Sequence, residues 1–323
     1  MRSFKHYNAV SLDEAFSLLR RYDGKASLIA GGTDLLGTLK GEILPGYPEA
    51  LVNIKTVPGL DIVKEDDEGL KIGALAKLVH IARSPEVIAT FGVLAEAARS
   101  VGTPEIRYMG TIGGNLCQDS RCWYYRYPHQ MGGRILCYRK GKGPCHAIKG
   151  DNRYHAIMGG KKCFAVCPSD IATALSALDA RIKVVKQDGE RVIPMTDFYH
   201  TLGHVLEPDE IVTGIRVPRP PENTAQSFIK FRLRESVDFA VVSVASVVSM
   251  EDGICKDARI TLGAVAPTPH RATAAEEAIR GKSLNRSIAE EAAEAAVSGA
   301  RPLSMNAYKI EITKTLIKRA ILS

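Results

Sequence analysis

Two stretches decide how this chain is read: Leu28-Ile29-Ala30-Gly31-Gly32-Thr33-Asp34-Leu35-Leu36, and Gly110-Thr111-Ile112-Gly113-Gly114-Asn115-Leu116-Cys117, which has the same character. In the first, a short apolar run with strand character (Ala26 to Ala30) ends in two glycines. Without a Cβ the backbone of such a turn can approach a ligand closely, and its N–H groups can face a phosphate. Gly-Gly turns are common, so either loop alone is a weak sign. The chain has no GxGxxG dinucleotide fingerprint and no GxxxxGK[ST] phosphate loop. A Rossmann or P-loop site is therefore a poor reading.

Working outward, Ser11-Leu12-Asp13-Glu14 has the capping-box pattern and opens a helix carried by Ala15, Leu18 and Leu19. Ala50 to Ile54 and Leu70 to Leu75 read as strands, Pro85 to Ser100 as one helix, and Val101 to Cys117 as a shaped loop. Asp170 to Leu178 reads as a helix, and Arg181 to Lys186 with Val192-Ile193 as a hairpin around Asp188-Gly189. Ile211 to Val217 is a strand, and the prolines of Pro218 to Pro221 mark a linker. Beyond it, three strand patterns (Ser227 to Arg234, Ala240 to Met250, Ala258 to Ala264) precede three helical ones (Ala272 to Arg280, Ile288 to Ser298, Ala307 to Ile321). Strands followed by helices predict an α+β layer. The expected domains are residues 1–217 and 222–323.

The 323 residues suit two or three sub-domains. No apolar run is long enough for a transmembrane helix. The start, Met1-Arg2-Ser3-Phe4-Lys5-His6-Tyr7, lacks a signal-peptide core, so a cytoplasmic protein is expected. Six of the seven cysteines lie between Cys117 and Cys167. An odd count without an export signal argues against disulfides and for metal or redox chemistry. The formal net charge of +7 is local: Gln118 to Val166 holds 10 Lys/Arg against 2 Asp/Glu, which leaves the remainder near −1.

Three further segments follow the glycine loops in order. They are Pro168-Ser169-Asp170-Ile171-Ala172-Thr173-Ala174-Leu175; Phe228-Ile229-Lys230-Phe231-Arg232 with Asp238-Phe239-Ala240; and Pro269-His270-Arg271-Ala272 with Glu276 and Gly281. Together the five resemble the FAD-binding medium subunit of the xanthine dehydrogenase / carbon monoxide dehydrogenase family, over nearly the whole chain. The resemblance implies a vanillyl-alcohol-oxidase-type, two-part FAD domain and a small C-terminal α/β domain. It also implies that Ile29, Ala30, Gly31, Gly32, Thr33, Asp34 and Leu35 wrap the FAD pyrophosphate. Thr111, Gly113, Gly114 and Asn115 would meet the phosphates and neighbouring groups. Asp170 would bond the adenosine part, Val212 would pack near the adenine, and Lys230 would lie by the flavin. Read alone, Lys230 is a surface lysine on a strand. The implied partners are a large molybdopterin-binding subunit and a small subunit with two [2Fe–2S] clusters, in a dimer of heterotrimers.

Ordinary members of that family run almost directly from the second glycine loop to Pro168-Ser169-Asp170, whereas here about fifty residues, 118–166, intervene. Four thiolates in one loop suit zinc or an iron–sulfur cluster. CxxC knuckles are missing, which favours the cluster. The insert resembles that of 4-hydroxybenzoyl-CoA reductase, which implies a [4Fe–4S] cluster on Cys122, Cys137, Cys145 and Cys163, with Cys167 a live substitute for Cys163. The expected role is to relay electrons between the partner's [2Fe–2S] clusters, FAD and this cluster, with a ferredoxin-like carrier outside. The substrate is an aromatic acyl-CoA on this resemblance, with purines and aldehydes as alternatives. The insert also holds Trp123, Tyr124, Tyr125, Tyr127, Arg126, Arg134, Arg139 and Lys140. That mixture leaves one reading of another class open, a zinc protein that binds nucleic acid.

Overall fold

A computed structural model describes residues 1–322. The chain opens with β1 (Lys5–Asn8), α1 (Leu12–Arg21), β2 (Ala26–Ile29), α2 (Leu35–Gly41) and β3 (Ala50–Asn53). The three strands form a parallel sheet in the order β1-β3-β2. Parallel neighbours need crossovers, and α1 and α2 supply them. Ser11 caps α1: its Oγ accepts from Glu14 N at 3.2 Å, and the Glu14 carboxylate accepts from Val10 N at 2.9 Å. The first glycine loop therefore leaves the carboxyl end of a parallel strand, where open α/β sheets place their ligands.

Next come β4 (Val63–Asp66), β5 (Gly69–Gly73), α3 (Leu78–Arg83), α4 (Pro85–Thr90), α5 (Gly92–Ser100), α6 (Pro104–Met109) and α7 (Ile112–Leu116). After the insert follow α8 (Asp170–Ala177), β6 (Arg181–Lys186), β7 (Gly189–Pro194), the short pair β8 (Tyr199–His200) and β9 (Gly203–His204), and β10 (Ile211–Val217). The five-stranded antiparallel sheet runs β4-β5-β10-β6-β7. Leu70, Ile72, Ile182 and Ile215 from it share one core with Leu94 of α5 and Leu175 of α8.

Two expectations change here. Pro85 to Ser100 is not one helix: Phe91 leaves the helical region (φ −124°, ψ 46°) and separates α4 from α5. Thr90 and Gly92 are weak helix formers, and the bend lets the Phe91 ring be fully buried. Val101 to Cys117 is not all loop. Thr103 caps α6 with Pro104 at its first position, and Thr111 caps α7.

The last unit is β11 (Thr224–Phe231), β12 (Val242–Glu251), β13 (Ile254–Gly263), β14 (His270–Arg271), α9 (Thr273–Ile279), α10 (Arg286–Val297) and α11 (Tyr308–Leu322). Its strands form one antiparallel sheet in sequence order. One face packs on its own helices through Val244, Ile260, Ala292 and Ile317. The other meets α5, where Phe228 N donates to Glu96 Oε2 at 2.9 Å and Val93 N donates to Gln226 Oε1 at 3.3 Å.

The insert holds only short 3-10 turns. It is too polar for a core of its own, and it is tied down by docking on the segment after α2, the β8-β9 turn and the segment after β13. Arg134 Nε donates to Glu42 O (2.7 Å), Arg139 Nη1 to Leu202 O (2.7 Å), and Ile157 N to Val265 O (2.8 Å). Among the described residues, no helix is long and apolar enough to cross a membrane.

Candidate functional site

The two glycine loops abut. A Cβ on Gly31 would collide with the Met109 carbonyl oxygen, so this glycine is required for loop-to-loop packing. Gly32 has φ +71°, the left-handed region that favours glycine. Among the described residues, the amides of Gly31, Gly32, Thr33 and Asp34 have no acceptor within the chain. The second loop differs. Ile112 N donates to Ala76 O (2.9 Å), Gly113 N to Ala74 O (2.8 Å), Gly114 N to Thr111 Oγ1 (3.2 Å) and Asn115 N to Thr111 O (2.8 Å). The expectation of free N–H groups thus holds for the first loop and fails for the second. The Ala74 and Ala76 carbonyls take two of the second set, and Thr111 takes the other two through its cap and the first helical bond of α7.

Three adjoining cavities meet at Pro168. The first, about 400 Å³, is lined by Ile29 to Leu35, Thr111 and Gly114. The second, about 280 Å³, is lined by Thr33, Asp34, Asn115, Asp170 and Lys230 among others. The third, about 490 Å³, runs from Asp170 and Phe239 to Cys122, Trp123 and His155 of the insert. Gly113 and Val212 line none of them. Gly113 packs against Ala74, and Val212 is part of the main core.

Asp170 is the first residue of α8, whose cap is Ser169. Ser169 Oγ accepts from Ala172 N at 3.0 Å and donates to Asn115 Oδ1 at 2.6 Å, which joins the helix to the second loop. Lys230 Nζ reaches from β11 to Asp170 Oδ2 at 2.7 Å and to Ser100 O at 3.1 Å. The side chains of Lys230 and Asp170 are 4% and 6% exposed, so Lys230 is not a surface lysine. Burial pushes the Asp170 carboxyl up, and the Lys230 ammonium pulls it back.

Cys122, Cys137, Cys145 and Cys163 line one small cavity of about 10 Å³, room for about one water. Cys117 and Cys167 line the first large cavity instead. Among the described residues, no three Cys, His, Asp or Glu side chains converge closely enough to grip a metal. Burial pushes the Cys117 and Cys167 thiols up to about 12 and Cys122 to about 11. His155 Nε2 lies 3.2 Å from Cys122 Sγ. Burial, then the nearby Lys309 ammonium, holds this imidazole down at about 4.

A family model described as the FAD binding domain in molybdopterin dehydrogenase matches residues 2–220, and the CO dehydrogenase flavoprotein C-terminal domain matches 227–323. The chain belongs to the FAD-binding subunits of the molybdopterin dehydrogenases. It is 33% identical to the aldehyde oxidoreductase FAD-binding subunit PaoB of Escherichia coli (strain K12), over 97% of this chain and 96% of that one. It is 25% identical to the carbon monoxide dehydrogenase medium chain of Afipia carboxidovorans, over 99% and 96%. In solved structures it superposes on carbon monoxide dehydrogenase from Hydrogenophaga pseudoflava with a TM-score of 0.80 at 27% identity, covering 99% of this chain and 96% of that one. The fold is thus the two-part FAD-binding domain with the CO dehydrogenase flavoprotein C-terminal domain, as expected.

In this molybdopterin dehydrogenase subunit, one feature of the site escaped sequence reading. Asp34 is a latch between the first glycine loop and the insert. Its carboxylate takes Arg121 Nη1 (2.5 Å), Arg126 Nη2 (2.6 Å) and the Asp119 amide (2.7 Å). Arg121 also lies over the Phe239 ring, 4.6 Å from its centroid. Burial lowers Arg121 to about 10, with Arg126 adding to the shift and Asp34 opposing it. The only advance signal in the sequence is the insert's basic excess, which there suits a redox partner or the packing of a cluster. Bonds to charged groups contribute about 1.5–3 kcal/mol each. Asp34→Asn is therefore expected to free the insert, measured as at least about tenfold faster proteolysis within 118–166. Unchanged cleavage would show that the latch does not hold the insert.

Proposed function

We propose that this chain is the FAD-binding, electron-transferring subunit of a multi-subunit molybdenum hydroxylase-type dehydrogenase. We further propose that Cys122, Cys137, Cys145 and Cys163 hold a [4Fe–4S] cluster. The observation that carries the flavin part is the pair of adjoining cavities, one lined by Gly31 to Asp34 with their unpartnered amides and the next, shared by Thr33 and Asp34, lined by the buried Asp170–Lys230 pair. Amides at the end of a parallel strand suit a pyrophosphate. On this reading Ile29 to Leu35, Thr111, Gly113, Gly114 and Asn115 hold FAD. Asp170, Lys230 and Val212 complete its site, Val212 from within the core. The domains are 1–217 and 222–323.

The donor set supports the cluster, because soft thiolates select iron–sulfur groups and all four line one cavity. Cys163 completes the set in preference to Cys167, which faces the flavin cavities. The cavity has room for about one water, so binding a cluster would require the insert to rearrange. Bound FAD supplies exchange between one- and two-electron chemistry, and an iron–sulfur cluster supplies one-electron capacity.

The other subunits on this reading are a large molybdopterin-binding one and a small one with two [2Fe–2S] clusters, in a dimer of heterotrimers. The exposed Lys142, Lys149, Lys161 and Lys162 favour an acidic ferredoxin-like carrier at the insert. The similarity to an aldehyde oxidoreductase subunit favours aldehydes as the complex's substrates over aromatic acyl-CoA. Anaerobic purification with flavin, iron, sulfide and zinc assays tests the reading. FAD is expected, with about four irons per chain beyond those of the small subunit's [2Fe–2S] clusters. Zinc without flavin would sink it.

A further inference from the structure

We propose that Arg139, a residue of the insert, is a second hold on the FAD pyrophosphate, donating into the first cavity, which Gly31 to Asp34 line with their unpartnered amides. The inference rests on the flavin reading above and deepens it. It takes nothing from the cysteine site, because the bonds of Arg139 go to the β8-β9 turn and to Asp119.

The argument is a count of donors. A guanidinium carries five N–H groups. Nη1 of Arg139 donates to Leu202 O at 2.7 Å and lies 3.5 Å from Asp119 Oδ1, and Nη2 donates to Thr201 O at 3.1 Å. Nε is buried with no acceptor among the described residues, and the side chain as a whole is 8% exposed. A buried donor on a charged group is costly to leave unmet, so this N–H points to a ligand. Nε–H and the remaining N–H of Nη2 share one edge of the guanidinium. That edge grips a phosphate with two parallel bonds. The Leu202 and Thr201 carbonyls hold a different edge, and the Tyr125 ring lies against the guanidinium, with its centroid 5.7 Å from Cζ.

Two carboxylates, Asp34 and Asp119, line the same cavity and would oppose an anion. Both are already engaged. Asp34 takes Arg121 and Arg126, while Asp119 accepts from the Tyr125 hydroxyl and from Ser120 N at 2.8 Å. Three arginines against two carboxylates leave this wall cationic. His204 of β9 adds a buried Nδ1 that also has no partner among the described residues. The insert's basic excess therefore has an inward part, directed at the end of the glycine loop where amides alone would otherwise meet the phosphates.

The test uses the purified complex, freed of FAD with chaotropic salt and titrated with FAD while quenching of flavin fluorescence is followed. Wild type, Arg139→Gln and Arg139→Lys are compared at low and high salt, in preparations of equal iron content. Arg139→Gln is expected to bind FAD about thirtyfold more weakly, as loss of a charge-assisted contact implies. It is also expected to lose part of the wild type's salt dependence. Arg139→Lys keeps the charge without the fork and should lie between the two. Proteolysis within 118–166 of the FAD-free protein reports whether the insert stays docked. An Arg139→Gln complex that binds FAD as tightly as wild type overturns the inference. So does weaker binding with unchanged salt dependence and a loosened insert, which would make Arg139 an anchor of the insert and no more. If the Gln variant does not assemble, the Lys variant decides: weaker FAD binding with the insert docked supports the inference, and wild-type affinity or a loosened insert overturns it. A wild-type complex that binds no FAD overturns the flavin reading first, and this inference with it.

Discussion

Lys230→Met is expected to destabilise the chain by about 3–5 kcal/mol and to release most of its FAD. The size of the first effect follows from burial. Lys230 Nζ and Asp170 Oδ2 are 2.7 Å apart with almost no side-chain exposure. Removing one member of such a pair strands the other as a buried, uncompensated charge. Asp170→Asn together with Lys230→Met removes both charges, so the double variant should recover much of the lost stability. It should not recover FAD if the pair contacts the cofactor. Urea denaturation and flavin content, measured on the single and double variants, separate the two effects. Equal destabilisation of single and double variants would mean that the ion pair is not what holds α8 to β11.

The pH dependence has a sign that can be worked out. Burial already raises the Asp170 carboxyl, and loss of Lys230 removes the largest of the influences that lower it, leaving those of Arg232 and Ser100. A carboxyl whose folded-state value lies above its unfolded one takes up a proton on folding. The deficit of Lys230→Met is therefore largest above the folded-state value and shrinks as pH falls through it. A deficit that grows on acidification would contradict the stranded-carboxylate account.

Much of this was legible in the sequence because local signals agreed with the fold. The Ser11–Glu14 pattern caps α1, the Asp188-Gly189 turn joins β6 to β7, and the prolines after Val217 separate β10 from β11. The misses share one cause: residues whose roles depend on partners distant in sequence. Phe91 breaks a helix because a remote core accepts its ring. Asp34 belongs to a glycine loop by sequence, but Arg121 and Arg126 arrive from 87 and 92 residues away. Gly31 resembled a ligand-facing glycine, and its lack of a side chain is needed by Met109. The second glycine loop has the composition of a phosphate loop, yet the remote carbonyls of Ala74 and Ala76 take two of its amides and the first turn of α7 takes the others. Composition records which residues are available and says nothing of which bonds they have already made.

Cys137→Ser is expected to lose nearly all of this chain's own iron, that beyond the small subunit's [2Fe–2S] clusters, while keeping FAD. Cys137 is 7% exposed and packs with Tyr125 against Ile43 in a small satellite core shared between the insert and the segment after α2. It lines the small cavity with the other three cysteines and none of the three large ones. A hydroxyl of nearly the same size barely changes the packing, yet it is a hard and weakly acidic donor where iron–sulfur groups need soft thiolates. Loss of iron without loss of flavin is therefore the signature of a ligand. Two further variants sharpen the result. Cys167→Ser should keep its iron, because that sulfur faces the flavin cavities, and any effect there should fall on FAD. Cys255→Ser should change neither, since Cys255 lies in the core of the C-terminal domain. Iron retained in Cys137→Ser would remove that residue from the ligand set. Iron lost from Cys167→Ser but retained in Cys163→Ser would move the fourth ligand to Cys167 and require the segment before α8 to turn toward the small cavity. Paired iron and flavin measurements on this series therefore decide the ligand set without any knowledge of the substrate.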